Sequence, residues 1–118
     1  MWKPISKGEF PGDFEQLVML ALVRLRDDAY GMRVRRELED RAARDVSIGA
    51  VYATLDRLES KGLVVSATGE PTPERGGRAR RIFRVTPDGA EALRRSRMAL
   101  KQMWAGPSDL RSVTVAAR

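Results

Sequence analysis

The stretch Ser47-Ile-Gly-Ala-Val-Tyr-Ala-Thr-Leu-Asp-Arg-Leu-Glu-Ser-Lys-Gly62 leaves little choice of fold. Ile48, Val51, Tyr52, Leu55 and Leu58 recur at steps of three and four, which sets them on one side of a helix and gives that side a core to pack against. Ser47 is placed to act as N-cap, and Gly62 to end the helix at C′. The other side is nearly bare. Gly49, Ala50 and Ala53 occupy its first two turns, and Arg57 follows one turn later. A capped helix start with so little side chain can approach another backbone closely and turn its free N–H groups and positive dipole end to an anion. Small residues on a helix face also serve close helix packing, so the neighbouring segments have to decide between the two.

Upstream, a helical pattern begins at Asp13. Leu17 to Val23 are seven successive apolar residues, more apolar surface than one side of a small domain covers, and a second molecule is expected to cover the rest. Arg26-Asp-Asp28 breaks this helix and offers a candidate N-cap to the next, where Tyr30, Val34 and Leu38 form a narrow apolar stripe against Arg33, Arg35, Arg36 and Arg41. Glu37, Glu39 and Asp40 balance most of that basic face. Residues 42–46 form the turn into the helix already described. Helix, short turn and second helix with a small-residue entry make a helix-turn-helix in outline.

Downstream, Leu63 to Thr68 and Arg78 to Val85 read as two strands, with Phe83 and Val85 facing inward and Arg78, Arg80 and Arg84 outward. The nine residues between them, 69–77, are rich in Gly and Pro and make a long exposed hairpin tip. Arg75, Arg78, Arg80, Arg81 and Arg84 fall within ten positions with no acid among them. Like charges so close repel one another unless an anion is present. A basic hairpin directly after a helix-turn-helix has the place and the charge of a wing, and it tips the reading of the bare helix face toward nucleic acid.

Thr86-Pro-Asp-Gly opens a last helix, with Thr86 as N-cap, Pro87 at N1 and Asp88 near the positive dipole end. Ala90, Leu93, Leu100 and Trp104 fall roughly along one side of it, with Met103 beside them. That stripe needs something to pack on, and the over-apolar first helix of a second copy is the candidate. The expected dimer interface therefore takes Leu17, Leu20 and Ala21 from the first helix and Leu93, Leu100, Met103 and Trp104 from the last. The expected organisation is an irregular arm over residues 1–12, a winged helix-turn-helix over 13–86, a dimerisation helix over 87–105 and a disordered tail over 106–118. The fold class is mainly α with a small β-hairpin, that is α+β.

Composition narrows the chemistry. The chain has no cysteine and no histidine, which removes disulfides, zinc fingers, Ser-His-Asp triads and the usual transition-metal sites together. No pair of carboxylates lies in an apolar context that would shift its pKa. Neither an enzyme, a cofactor nor a metal is expected. A balance of 22 basic against 16 acidic residues, net +6 over 118 residues, favours a polyanionic partner. No apolar run approaches the roughly 20 residues that cross a bilayer, and Met1-Trp-Lys-Pro-Ile lacks the apolar stretch of a secretory signal, so the chain is expected in the cytoplasm.

These motifs, in this order, resemble the PadR family of transcriptional regulators, in its short form with a single C-terminal helix. The resemblance runs from about Phe10 to Trp104. It is carried by Leu17 to Leu25, by Ala29-Tyr30-Gly31, by Ser47 to Leu63, and by Gly76-Gly77-Arg78 through Val85-Thr86-Pro87-Asp88-Gly89. It implies a dimeric winged-helix repressor that binds pseudo-palindromic double-stranded DNA and releases it when a small, often aromatic, ligand occupies the dimer interface. By the same resemblance Ser47, Gly49, Ala50, Tyr52 and Ala53 meet phosphates and base edges, and Gly77, Arg78 and Arg80 are the phosphate contacts of the wing. Gly49 and Ala50 stand where longer polar side chains would read bases. Specificity is then expected to lean on Arg57, on the arginines of the wing, Arg75 included, and on DNA shape. Met19, Leu100, Met103 and Trp104 are the candidates for a ligand pocket, although the favoured reading is that they simply pack the dimer core. The competing reading is a winged-helix protein-interaction module, which would gain nothing from five unpaired arginines.

Overall fold

A computed structural model of the protein describes residues 10–71, 79–106 and 110–112. The expectations for most of the N-terminal arm, for Arg75, Gly77 and Arg78, and for most of the tail lie outside the described residues. Within the tail, Leu110–Ser112 form a single 3-10 turn.

Three helices come first: α1 over Asp13–Leu25, α2 over Gly31–Ala42 and α3 over Ile48–Ser60. They are followed by β1 over Val64–Pro71, β2 over Ala79–Val85 and α4 over Pro87–Trp104. The two strands form an antiparallel hairpin whose register sets Val64 against Val85 and Ser66 against Phe83, with an irregularity between Thr68 and Pro71. Past that irregularity Pro71 still pairs with Ala79, so β1 runs three residues beyond the expected Thr68. The outer edge of β2 is not bare. Phe83 N–H donates to the Ala29 carbonyl at 2.9 Å, and Tyr30 bridges to Ile82.

That bridge corrects one expectation. The N-cap of α2 is Tyr30, in extended backbone and without a side-chain cap, and not Asp28. Arg26–Asp28 are taken up by a 3-10 turn, so α2 starts later, at a residue whose backbone is already committed to β2.

The core lies where α1, α2, α3 and the hairpin meet, around Phe83, Met19, Leu38, Leu55, Leu58 and Val18, all fully enclosed. The 3.6-residue periodicity of α3 produces this directly, since Val51, Leu55 and Leu58 point one way. Gly62, at φ +77°, ends α3 as expected. Its N–H donates to the Glu59 carbonyl and that of Leu63 to the Leu58 carbonyl, each at 3.0 Å, the pattern that satisfies the last carbonyls of a helix.

The hairpin and α4 are joined at one close point. Thr86 Oγ1 accepts the Gly89 N–H at 3.0 Å and donates to the Gly62 carbonyl at 2.7 Å. A Cβ at Gly89 would lie 2.1 Å from the Leu63 carbonyl oxygen, so only glycine lets α4 enter against the end of α3. Beyond that entry α4 buries only Ser96, and every residue from Arg97 to Gly106 is exposed.

Candidate nucleic-acid interface

Ser47 has the extended backbone of an N-cap, and its Oγ accepts the Ala50 N–H at 3.1 Å. Gly49, Ala50 and Ala53 are all exposed, while Val51, Thr54, Leu55 and Leu58 seal the opposite side of α3. The bare face foreseen from spacing is therefore open to solvent within one chain. Tyr52 stands between the two sides. It is 37% exposed, its ring lies 6.3 Å from that of Phe83, and a Cβ at Gly31 would meet its phenol at 2.4 Å. Tyr52 thus holds α3 against the start of α2 and leaves one edge of its ring outside.

Arg57 continues the bare face in sequence but is engaged within the chain. Its Nε donates to Glu15 at 3.0 Å, and Lys61 Nζ binds the same carboxylate at 3.0 and 3.1 Å. Glu15 is the one buried charged residue among those described, and it also accepts the Gly12 N–H at 2.9 Å. Burial pushes its carboxyl pKa up, but the Gly12 N–H, Lys61 and Arg57 outweigh that, and the group ends below its ordinary value. The sequence reading missed Glu15. Its signal was available, since Gly12 and Glu15 have the N-cap to N3 spacing of a capping box.

The hairpin departs most from expectation. Arg80, Arg81 and Arg84 are not unpaired, because acids distant in sequence fold against them. Arg80 lies 3.9 Å over the Tyr30 ring, with its Nη1 4.0 Å from Asp28. Its Nε is buried without a hydrogen-bond partner. Arg81 donates to Glu59 at 2.7 Å, approaches Asp56 at 3.5 Å and covers the Phe83 ring at 4.8 Å. Arg84 pairs with Asp27. Arg80 therefore has a first role in holding the hairpin stem. On α2, Glu37 likewise gathers Arg24, Arg33 and Arg41.

The expected dimer and ligand residues divide. Leu20, Leu100, Met103 and Trp104 are exposed, and Trp104 remains 53% accessible. Leu17 and Leu93 are partly buried against the core. Ala21 and Met19 are buried inside the chain, because both point to the face of α1 that packs on the core. That corrects Ala21 as an interface residue and Met19 as a pocket residue. The structure does not bring Met19 together with Leu100, Met103 and Trp104. Among the described residues, two open hollows lie elsewhere, one of about 390 Å³ along Leu22, Val23, Arg26 and Val85 and one of about 320 Å³ along Val65, Ala67 and Ile82, with Asp27 and Arg84 lining both. Among the described residues no group of three or more carboxylates is placed to hold a metal ion, and no helix is long and apolar enough to cross a membrane.

Comparison with known proteins agrees with this geometry. The family described as Transcriptional regulator PadR-like matches over residues 19–95. Transcriptional regulator Rv3488 of Mycobacterium tuberculosis is 40% identical over 77 residues, which make up 65% of this chain and 67% of that protein. Among solved structures, a PadR-like transcription factor from Bacteroides fragilis superimposes with a TM-score of 0.65 at 26% identity, covering 76% of this chain and 82% of its own. A PadR family transcriptional regulator from Eggerthella lenta DSM 2243 gives 0.64 at 29% identity, covering 84% of each chain.

Proposed function

The chain belongs to the PadR-like family of transcriptional regulators, and we propose that it works as a homodimeric repressor that binds a pseudo-palindromic site in double-stranded DNA. One observation carries this reading: the entrance of α3 is capped, almost free of side chains and open, while its other side is sealed into the core. Such an entrance can be pressed against a phosphate backbone with its N–H groups forward. Ser47, Gly49, Ala50, Ala53 and the outer edge of Tyr52 are the contacts assigned to it. Arg75, Gly77 and Arg78 at the hairpin tip are assigned to the neighbouring backbone.

The dimer is assigned to α4, through Leu100, Met103 and Trp104, against Leu20 and Val23 on the outer side of α1. All five are exposed large apolar residues in the single chain, and exposed apolar side chains grouped on one helix mark an association face. Two copies related by a two-fold axis would set their α3 helices in successive major grooves, about 34 to 36 Å apart. A small aromatic ligand seated between the α4 helices would favour one angle of the dimer, and by linkage lower DNA affinity if that angle spoils the spacing. No catalytic role belongs to this reading.

The test is to select fragments of source-genome DNA on the purified protein and footprint the bound ones. Two protected half-sites one helical turn apart are expected, and a single protected half-site would end the dimeric reading. The pairing of Arg80, Arg81 and Arg84 removes part of the case against a protein-interaction module. A gel shift on random duplex at low salt separates the two, since the module would leave the duplex free.

A further inference from the structure

We propose that Asp28 and Glu59, with Asp27 and Asp56 beside them, are specificity determinants: built-in competitors of phosphate that keep the hairpin stem from gripping any duplex it meets. The inference rests on the DNA-binding reading above.

Four carboxylates face four arginines here. Asp27 pairs with Arg84, Asp28 with Arg33 and Arg80, and Glu59 with Arg81, which Asp56 also approaches. The acids come from two places outside the hairpin, the 3-10 turn before α2 and the last turns of α3, so the two faces of β2 are neutralised independently. On the face toward α3, Glu59 accepts the Ser66 N–H at 3.2 Å and the Ser66 hydroxyl at 2.9 Å, and Arg81 Nε donates to that hydroxyl at 3.1 Å. Glu59 thereby ties α3, β1 and β2 through one carboxylate. On the other face Arg80 is laid flat on Tyr30, the residue whose backbone bridges to β2.

Non-specific binding to DNA arises almost wholly from cations that neutralise phosphates and release counterions. An arginine already held by a carboxylate contributes little to that release, and the carboxylate itself repels an approaching phosphate. A properly seated site is held instead by the entrance of α3, where Gly49, Ala50 and Ala53 stay exposed. Neutralising the stem therefore weakens random binding more than specific binding and widens the ratio between them. The exposed Asp27–Arg84 pair is the weakest member, since ion pairs at such a surface hold little. Arg81, held by Glu59 at 2.7 Å and by the Ser66 hydroxyl at 3.1 Å, is the most firmly engaged.

The experiment measures binding to a random 20-base-pair duplex against salt for the wild type, Asp28→Asn and Glu59→Gln, and to a genomic fragment selected for tight binding. Each variant is expected to bind the random duplex more tightly, with the slope of log K against log salt steeper by about 0.9 for each arginine released. The ratio of selected to random affinity is expected to fall. A double variant serves as control: Arg81→Gln should leave the wild-type slope unchanged, and should cancel the gain when added to Glu59→Gln. Unchanged slopes in both single variants, with a wild type that binds, would overturn this proposal alone. A wild type that ignores the duplex in dilute buffer would overturn the DNA-binding reading beneath it.

Discussion

Helices α3 and α4 begin alike and end differently. Each opens on a hydroxyl N-cap in extended backbone, Ser47 at φ −74° and Thr86 at φ −78°, and each cap accepts an N–H three residues on, at 3.1 and 3.0 Å. Both carry an apolar stripe. Yet α3 buries Val51, Thr54, Leu55 and Leu58 over 13 residues, whereas α4 buries Gly89 and Ser96 over 18. The local code for starting a helix is thus indifferent to what the helix is for. Purpose is set by what covers the stripe: for α3 it is the same chain, and for α4 we assign it to a second copy.

The sharpest way to break that contrast is to remove α4. A chain cut after Thr86 is expected to sediment as a monomer at concentrations where the full chain is expected to dimerise, and a persisting dimer would take the association away from α4. Leu55→Ala comes next. It empties a fully buried position, and an expected loss of about 2 to 5 kcal/mol in urea unfolding should not depend on protein concentration. Trp104→Ala should instead shift only the monomer–dimer equilibrium. If it destabilised the diluted monomer as Leu55→Ala does, the two helices would not differ in kind.

Glu15 offers a smaller effect and a pH signature. Glu15→Gln leaves Arg57 and Lys61 without their carboxylate. Both are substantially exposed, so the expected loss is about 1 to 2 kcal/mol, well under that for a fully buried pair. The folded-state pKa is lowered from the ordinary 4.5. Such a group contributes stability above its unfolded value and loses it as pH falls through the folded one. The stability gap between wild type and Glu15→Gln should therefore be level near neutrality and close below pH 4.5. A gap that widened on acidification would reverse the sign assigned here.

What could be read from the chain before its fold follows the same division. The helices, the two hydroxyl caps, the ending at Gly62 and the bare face at Gly49, Ala50 and Ala53 were legible, because each rests on residues within a turn or two of one another. The counter-charges of the hairpin were not. Arg84 meets Asp27 and Arg81 meets Glu59 only after the chain has folded back, and a charge run looks unpaired when only its neighbours are counted. Met19 and Ala21 were misplaced for a related reason: seven apolar residues in succession do not show which of them face inward. Leu20 and Val23 turned out to hold the exposed positions.

The smallest single effect is expected at one of the two caps. Ser47→Ala frees one exposed N–H that water can satisfy, so its cost should sit near the low end of the roughly 0.5 to 2 kcal/mol seen for N-cap removal. Thr86 does more than cap. Its hydroxyl also donates to the Gly62 carbonyl, its own N–H donates to the Leu63 carbonyl at 3.0 Å, and the Gly89 it caps lies against that same Leu63 oxygen. Thr86→Ala should therefore fall nearer the upper end of that range in urea unfolding, and Thr86→Ser, which keeps both hydroxyl bonds, should recover most of the loss. Equal costs for Ser47→Ala and Thr86→Ala would mean that the junction is only a helix start. A larger cost at Thr86 would mean that α4 is aimed from the end of α3, so that in the dimer proposed above the contact between two α4 helices would also set the angle at which two α3 entrances are presented.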